Sequence, residues 1–199
     1  SLLVGKLLEN AGIEFPPWYA ANSPAKVYPA IIDSWKTPPE ITVREIDLEN
    51  LRKSDGLNGH VPVTYINESL ALIQAILDHK NTVIVSIAQE GNEAHARIGD
   101  LAVNHQWSKS WQAEQLLAEY VAKYISPDLH VGSPLRKYSE LRVAELFVKN
   151  CWQDFGAKFS SCNRANYQQG QQNQELAWCA DCAKCANSYL LFCPFLPAE

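Results

Sequence analysis

A chain of 199 residues, 47% hydrophobic and 20% charged, is long enough to bury a core without disulfide staples and has the balance of a globular protein. Its net charge of −5 and pI near 5.6 argue against the basic footprint that sequence-independent nucleic-acid binding needs. The longest apolar runs, TVIVSIA and YLLFCPFL, fall short of the ~18–20 residues that span a bilayer, and no signal peptide is evident, so a cytoplasmic setting without membrane contact is expected.

The chain contains no methionine and opens on SLLVGKLLENAG, which reads as the inside of a helix. Both features suit a piece of a longer chain. Leu2, Leu3, Leu7 and Leu8 share one face of that helix, and Gly12 follows in the place of a C′ residue. GIEFPPWYA reads as a short strand running into a loop, because paired prolines cannot continue a ladder. Ser23-Pro24 would start a helix reaching about Trp35, TPPE would break it, and ITVREID alternates as a strand should.

DGLNGHVPV is a glycine-rich loop, and from Asn67 the residues Leu70, Ile73, Ala75, Ile76 and Leu77 recur at helical spacing. His79 falls near that helix's end and reads as a C-terminal cap. NTVIVSIA, rich in β-branched residues, predicts a strand buried on both faces. The polar segment QEGNEAHARIGD and then VNHQWSKS lead to an amphipathic helix over 111–125, stopped by Ser126-Pro127. LHVGSPLRKYSE predicts a short strand and a loop, and Tyr138 to Asn150 another helix. Alternating strands and helices imply an α/β fold with a mostly parallel sheet flanked by helices. Residues 1–150 form that domain, and the change of composition after it marks residues 151–199 as a small C-terminal segment. Within it, NYQQGQQNQE reads as a biased polar loop.

Cys179, Cys182 and Cys185 follow C-x2-C-x2-C, and Cys162 lies 17 positions before the first of them. Two-residue spacers let a tight turn aim successive sulfurs at one point, so the four can hold a tetrahedral metal. A disulfide reading suits neither the compartment nor the density, and a redox C-x-x-C leaves the third cysteine unexplained. Four thiolates leave no open position, so the expected zinc is structural, although iron accepts the same set. Cys151 and Cys193 fall outside the pattern and read as buried thiols.

Two polar constellations have competing readings. VNHQWSKS offers a substrate or phosphate clamp with Lys109 as its charge, or an ordinary helix start capped by Ser108 or Ser110. GSPLRKYSE offers Arg136 for carboxylate or phosphate recognition, or an i,i+4 surface pair of Arg136 with Glu140. His60 sits in a glycine loop whose phosphate-cradle signal is weak. His130 reads as structural.

GHVPVT, VNHQWSKS, SPLRKYSELRVAELF, SSCNRA and WCADCAKC…CPFL, in this order, resemble the bacterial UDP-N-acetylmuramoyl-L-alanyl-L-glutamate epimerases. The resemblance covers roughly residues 57–196 well. It implies a PP-loop (HUP-like) α/β domain of the ATP-pyrophosphatase group, whose N-terminal strand and glycine loop lie outside this sequence. The cysteine set is similar to that of the ExsB-like branch. The implied activity inverts the terminal L-glutamate of UDP-MurNAc-L-Ala-L-Glu, consuming ATP with Mg²⁺ and releasing AMP and pyrophosphate, with Zn²⁺ structural. The implied partner is that UDP-linked peptide rather than a nucleic acid.

Residue by residue, Ser1 resembles the closing serine of the PP-loop. Asn104, His105, Gln106, Ser108 and Lys109 match an NHQ-S-K motif, and Ser133, Arg136 and Glu140 match S-x-L-R-x-x-S-E. Lys109 and Arg136 are then expected to hold anionic groups, and His105 and Glu140 to move protons. In SIAQEGN, Ile87, Ala88 and Gln89 replace polar or charged positions of the family's S-N-E-x-S-A-N turn, and CADCAKC lacks its usual glycine and proline. Such departures fit two alternatives, an ExsB-like enzyme activating another carboxylate and a non-catalytic zinc-stabilised binding module.

Overall fold

The computed structural model describes residues 2–21, 28–45, 47–54, 61–89, 91–165 and 176–197. In chain order the elements are α1 Leu2–Asn10, β1 Trp18–Ala21, α2 Pro29–Ile32, β2 Glu40–Val43, α3 Leu48–Lys53, α4 Val63–Leu77 and β3 Thr82–Ile84. There follow β4 Ala96–Ile98, β5 Leu101–Val103, α5 Trp111–Tyr124, β6 His130–Gly132, α6 Glu140–Phe155 and α7 Ala183–Phe192, with a 3-10 turn at Trp107–Lys109. The protein is therefore mixed α/β. Contacts divide it into two compact units, Gly59–Val143 and a second that joins Leu2–Asn58 to Ala144–Glu199, the boundary falling within α6.

In Gly59–Val143, β3 and β6 pair in parallel with Val83 opposite Val131. Their buried face meets Leu72 and Ala75 of α4, Val121 of α5, and Leu129. This apolar seam joins elements far apart in sequence and supplies most of the unit's hydrophobic stabilisation. The ends of α4 and α5 are written locally. At the close of α4, His79 adopts φ +54, its N–H reaches Ile76 O at 3.2 Å, and Lys80 N–H reaches Ala75 O at 2.7 Å. That is a Schellman cap with histidine in the glycine position. At the start of α5, Ser110 accepts the N–H of Ala113 at 3.1 Å, so the N-cap reading of VNHQWSKS holds for Ser110.

In the second unit, β1 and β2 pair in parallel, Trp18 opposite Glu40. Helix α1 ends in the same motif as α4: Gly12 at φ +67, Gly12 N–H to Glu9 O at 3.1 Å and Ile13 N–H to Leu8 O at 3.0 Å. A Cβ on Gly5 would stand 2.3 Å from the Trp35 indole, so this helix needs glycine where the ring lies on it. Phe155, fully buried, stacks against that same Trp35 at 5.2 Å. Phe147, Trp152, Phe159, Phe192 and Trp178 continue as an aromatic cluster, with Phe159 edge-on to Trp178 at 5.5 Å. Lys6, almost buried, is held between Glu9 at 2.9 Å and Asp154 at 2.7 Å.

Several expectations change. The strand of GIEFPPWYA is Trp18–Ala21, after the prolines, because the ladder begins where Pro17 O accepts the N–H of Glu40 at 2.9 Å. β3 is not covered on both faces: Val83 is buried but Ile84 is 43% exposed, since the sheet has only two strands and one packed side among the described residues. Among the described residues strands pair as three two-stranded sheets, two parallel and one antiparallel. The antiparallel one, β4 with β5, occupies the segment read as merely polar; Gly99 at φ +58 opens its two-residue turn. Helix α4 starts at Val63 and α6 runs from Glu140 to Phe155. Cys193 is exposed, whereas Cys151 is buried. Ser1, Ser23-Pro24, His60 with its glycine loop, and NYQQGQQNQE lie outside the described residues. Among the described residues no helix is long and apolar enough to cross a membrane.

Candidate functional site

Within Gly59–Val143, the segment after β3, the segment after β5 and the first turn of α6 enclose an open cleft of about 690 Å³. Asn104, His105, Gln106 and Glu140 line it together with Gln89, Gly91, Asn92 and Glu93. Both residues expected to move protons, His105 and Glu140, therefore share one cavity wall set. Asn104 organises the floor. Its Nδ2 donates to Gly91 O at 2.6 Å, and its Oδ1 accepts the N–H of Gln106 at 2.9 Å. Gly91 sits at φ +78, and a Cβ there would meet Lys109 Cβ at 2.9 Å and Gln106 O at 3.0 Å, so only glycine allows this approach. Asn92 ties the wall to α5 by accepting the N–H of Trp111 at 2.8 Å.

His105 has a partner that the sequence did not announce. His95, just before β4, places its Nδ1 3.0 Å from His105 Nδ1 and accepts the backbone N–H of His105 at 3.2 Å. The two rings stand at 86° with centroids 4.3 Å apart. The hairpin causes this contact: Ala96 opposes Val103, so the residues just outside that pair, His95 and Asn104-His105, come together.

The other expected site residues serve the cleft from outside its lining. Ser133 donates to Ile87 O at 2.7 Å and accepts the N–H of Ile87 at 3.0 Å, fastening the turn after β3 to that after β6. Arg136 does not pair with Glu140 as i,i+4 spacing allowed. Its Nε donates to Glu114 Oε2 at 2.9 Å, with the two side chains 10% and 6% exposed, and its Nη1 reaches the carbonyls of Ala88 and Lys109. Glu68 of α4 lies near this pair; burial first, and then the Glu114 carboxylate, push its carboxyl up to about 7, against the pull of Arg136. Glu68 Oε2 and Arg136 Nη2 are both buried without a partner among the described residues. Lys109 packs beside Gly91, and Ser108 lies in the 3-10 turn. Among the described residues, no lysine or arginine lines the cleft.

The family-turn departures divide cleanly. Ile87 and Ala88 are buried and belong to packing, whereas Gln89 lines the cleft. Asn92, Glu93, His95 and Ser139 were missed in the sequence; the Gly99-Asp100 turn between short alternating runs was the signal that could have found His95.

In the second unit, the ligand atoms of Cys162, Cys179, Cys182 and Cys185 all lie within 4.8 Å of one another. Sulfur separations are 3.5 Å for Cys182–Cys185, 3.8 Å for Cys179–Cys185 and 3.9 Å for Cys162–Cys182. Tetrahedral zinc with bonds of about 2.3 Å needs sulfurs ~3.8 Å apart, so the donor set fits. Backbone N–H groups point at the sulfurs: Arg164 to Cys162 at 3.2 Å, Asp181 to Cys179 and Cys185 to Cys182 at 3.4 Å. Cys182 is the N-cap of α7, and backbone N–H bonds from Asn163 and Cys185 bring its thiol down to about 6, favouring the thiolate. Ala180 turns the chain between ligands at φ +55. Cys151 and Cys193 are not in the cluster.

These features describe a mixed α/β protein with a polar histidine–carboxylate cleft and a four-cysteine cluster suited to a metal. The chain belongs to the MurL family: residues 1–133 match the MurL N-terminal domain and residues 158–199 match the MurL C-terminal domain. A UDP-N-acetyl-alpha-D-muramoyl-L-alanyl-L-glutamate epimerase of Xanthomonas oryzae pv. oryzae (strain MAFF 311018) is 37% identical over 125 residues, covering 63% of this chain and 27% of that protein. Proteins of the same name from Micromonospora sp. (strain ATCC 39149 / NRRL 15099 / SCC 1413) and Salinispora tropica (strain ATCC BAA-916 / DSM 44818 / JCM 13857 / NBRC 105044 / CNB-440) are 31% and 32% identical, covering 83% and 100% of this chain. The chain spans 36% and 42% of those two relatives, so less than half the length of each of the three. No solved structure matches it.

Proposed function

We propose that the chain is part of an ATP-dependent epimerase of peptidoglycan precursor synthesis, which inverts the terminal L-glutamate of UDP-MurNAc-L-Ala-L-Glu and releases AMP and pyrophosphate. Family membership and the names of the relatives support the reaction class. The observation that carries it to particular residues is the cleft in which His105 and Glu140 meet.

The chemistry explains why an imidazole and a carboxylate suffice. A free α-carboxylate resists loss of the Cα proton because the carbanion would sit beside a negative charge. Once the carboxylate is adenylated, that charge is gone and a modest base can take the proton. In this reading His105 and Glu140 act on the two faces of glutamate Cα, one removing a proton and the other returning one, and water then hydrolyses the acyl adenylate to free the carboxylate and AMP. Gln106 supplies a side-chain amide to orient the glutamyl end, while Asn92 and Asn104, whose amides are bound to backbone groups, hold the shape of the cleft. The nucleotide, with its Mg²⁺, is assigned to the PP-loop closed by Ser1, on a HUP-like domain within residues 1–150. Lys109 serves the substrate's remaining carboxylate, and Ser133, Ser108 and Arg136 hold the walls. Zinc bound by the four cysteines would close the segment 151–199 and takes no part in proton transfer. Nucleotide-linked substrates place this work in the cytoplasm.

Gln89 favours one alternative, a relative that adenylates another acyl group, because it is the family-turn departure that faces the cleft. The test is pyrophosphate release by the protein that carries this chain, with ATP, Mg²⁺ and UDP-MurNAc-L-Ala-L-Glu, followed by chiral analysis of the hydrolysed glutamate. Pyrophosphate with D-glutamate is expected. In His105→Ala and Glu140→Gln, pyrophosphate release should persist while inversion falls by about 10²-fold or more. Pyrophosphate only with a different carboxylate would favour the alternative. Absence of any release from folded, metal-loaded protein would overturn both.

A further inference from the structure

We propose that His95 is a positioning residue that fixes the tautomer of His105, making Nε2 the nitrogen of His105 that exchanges protons. Its catalytic meaning rests on the reading above; the tautomer does not. His95 Nδ1 accepts the backbone N–H of His105 at 3.2 Å. An imidazole nitrogen that accepts a hydrogen bond presents its lone pair, so neutral His95 carries its proton on Nε2. His105 Nδ1 stands 3.0 Å from that same lone pair, and two lone pairs cannot face each other at this distance. His105 Nδ1 must therefore be the donor. Its proton budget is then settled: Nδ1 holds the hydrogen and Nε2 holds the free pair.

The arrangement has the logic of a base held by an orienting group. When Nε2 takes a proton, the imidazolium keeps its Nδ1–H directed at His95, and the bond becomes charge-assisted and stronger. A neutral imidazole does this less strongly than a carboxylate, but it adds no negative charge to a cleft already lined by Glu93 and Glu140. The hairpin makes the orientation rigid, because His95 N–H is itself tied to Val103 O at 3.0 Å.

The direct test is ¹⁵N-histidine labelling and long-range ¹H–¹⁵N correlation, which reads the protonation of each ring nitrogen. The chain has five histidines, so single substitutions assign the rings. His105 is expected to show a protonated Nδ1 and a pyridine-like Nε2. In His95→Leu that signature should shift toward protonated Nε2. His95→Asn can offer an amide oxygen near the lost Nδ1 and should restore it. A protonated Nε2 in the unaltered protein, or an Nδ1–H form that survives His95→Leu, would overturn the proposal. Turnover gives a second readout: His95→Leu should lower kcat for inversion about 10- to 100-fold with KM little changed, and His95→Asn should recover most of it. If the unaltered protein inverts nothing, the epimerase reading fails while the spectroscopic assignment is decided independently. Thermal melting of both variants separates either result from misfolding.

Discussion

Arg136 donates from Nε to Glu114 Oε2 at 2.9 Å across 22 positions of sequence, and both side chains are almost wholly buried. The residue expected to greet an anionic ligand is instead a brace. Its guanidinium also holds the carbonyls of Ala88 and Lys109.

Removing one partner of this pair should cost far more than removing both. Arg136→Met leaves Glu114 charged and buried, so urea unfolding should show a loss of about 3 kcal/mol. The double variant Arg136→Met/Glu114→Leu should lose clearly less. A double variant that loses the sum of the Arg136→Met and Glu114→Leu single losses would show that the pair is not coupled.

Glu68 gives the protein a pH dependence of definite sign. Its folded value of about 7 lies above the ordinary 4.5, so the native state holds more protons than the unfolded chain between them. The associated stability is present below pH 4.5 and is lost as pH rises through 7. Glu68→Gln removes the titration. The variant should gain on the unaltered protein across that window and then run parallel, by on the order of 1–2 kcal/mol after solvent screening. Urea unfolding at each end of the window checks it.

The four-cysteine cluster predicts about one tightly held metal ion per chain, with zinc the expected ion. Metal analysis and a chelator titration followed by thermal melting would measure it. Cys185→Ser should abolish binding and lower the melting temperature, whereas Cys193→Ala, exposed and outside the cluster, should change neither. Retained metal in Cys185→Ser would remove that residue from the ligand set.

Among the described residues two non-glycine residues occupy left-handed backbone, His79 at φ +54 and Ala180 at φ +55. L-residues pay about 1–2 kcal/mol there, which glycine avoids, although glycine is also freer in the unfolded chain. His79→Gly and Ala180→Gly should therefore each raise stability by up to about 1 kcal/mol in chemical denaturation. For Ala180→Gly the gain should appear with the metal bound, because the turn it relaxes carries Cys179 and Cys182. A loss at either position would show that the side chain does more than sit in the turn.

What was readable along the chain is what neighbours decide among themselves. Ser110 as an N-cap, Gly12 and His79 at helix ends, the helix over 111–125 and the four-cysteine spacing all depend on groups within a few residues, apart from Cys162. Motif order likewise placed Asn104, His105, Gln106 and Glu140 in one site, and they do line one cleft. Tertiary structure decided the rest because those outcomes depend on what arrives from elsewhere. Ile84 is exposed because, among the described residues, only the Val83–Val131 face of its sheet is packed, a matter of neighbours that alternation cannot encode. Arg136 chose Glu114 over Glu140 because a buried guanidinium seeks the partner that shares its burial, not the one nearest in sequence. His95 met His105 because a hairpin register fixed at Ala96 and Val103 left them nowhere else to point, and a single lone pair then determined which nitrogen bears the proton.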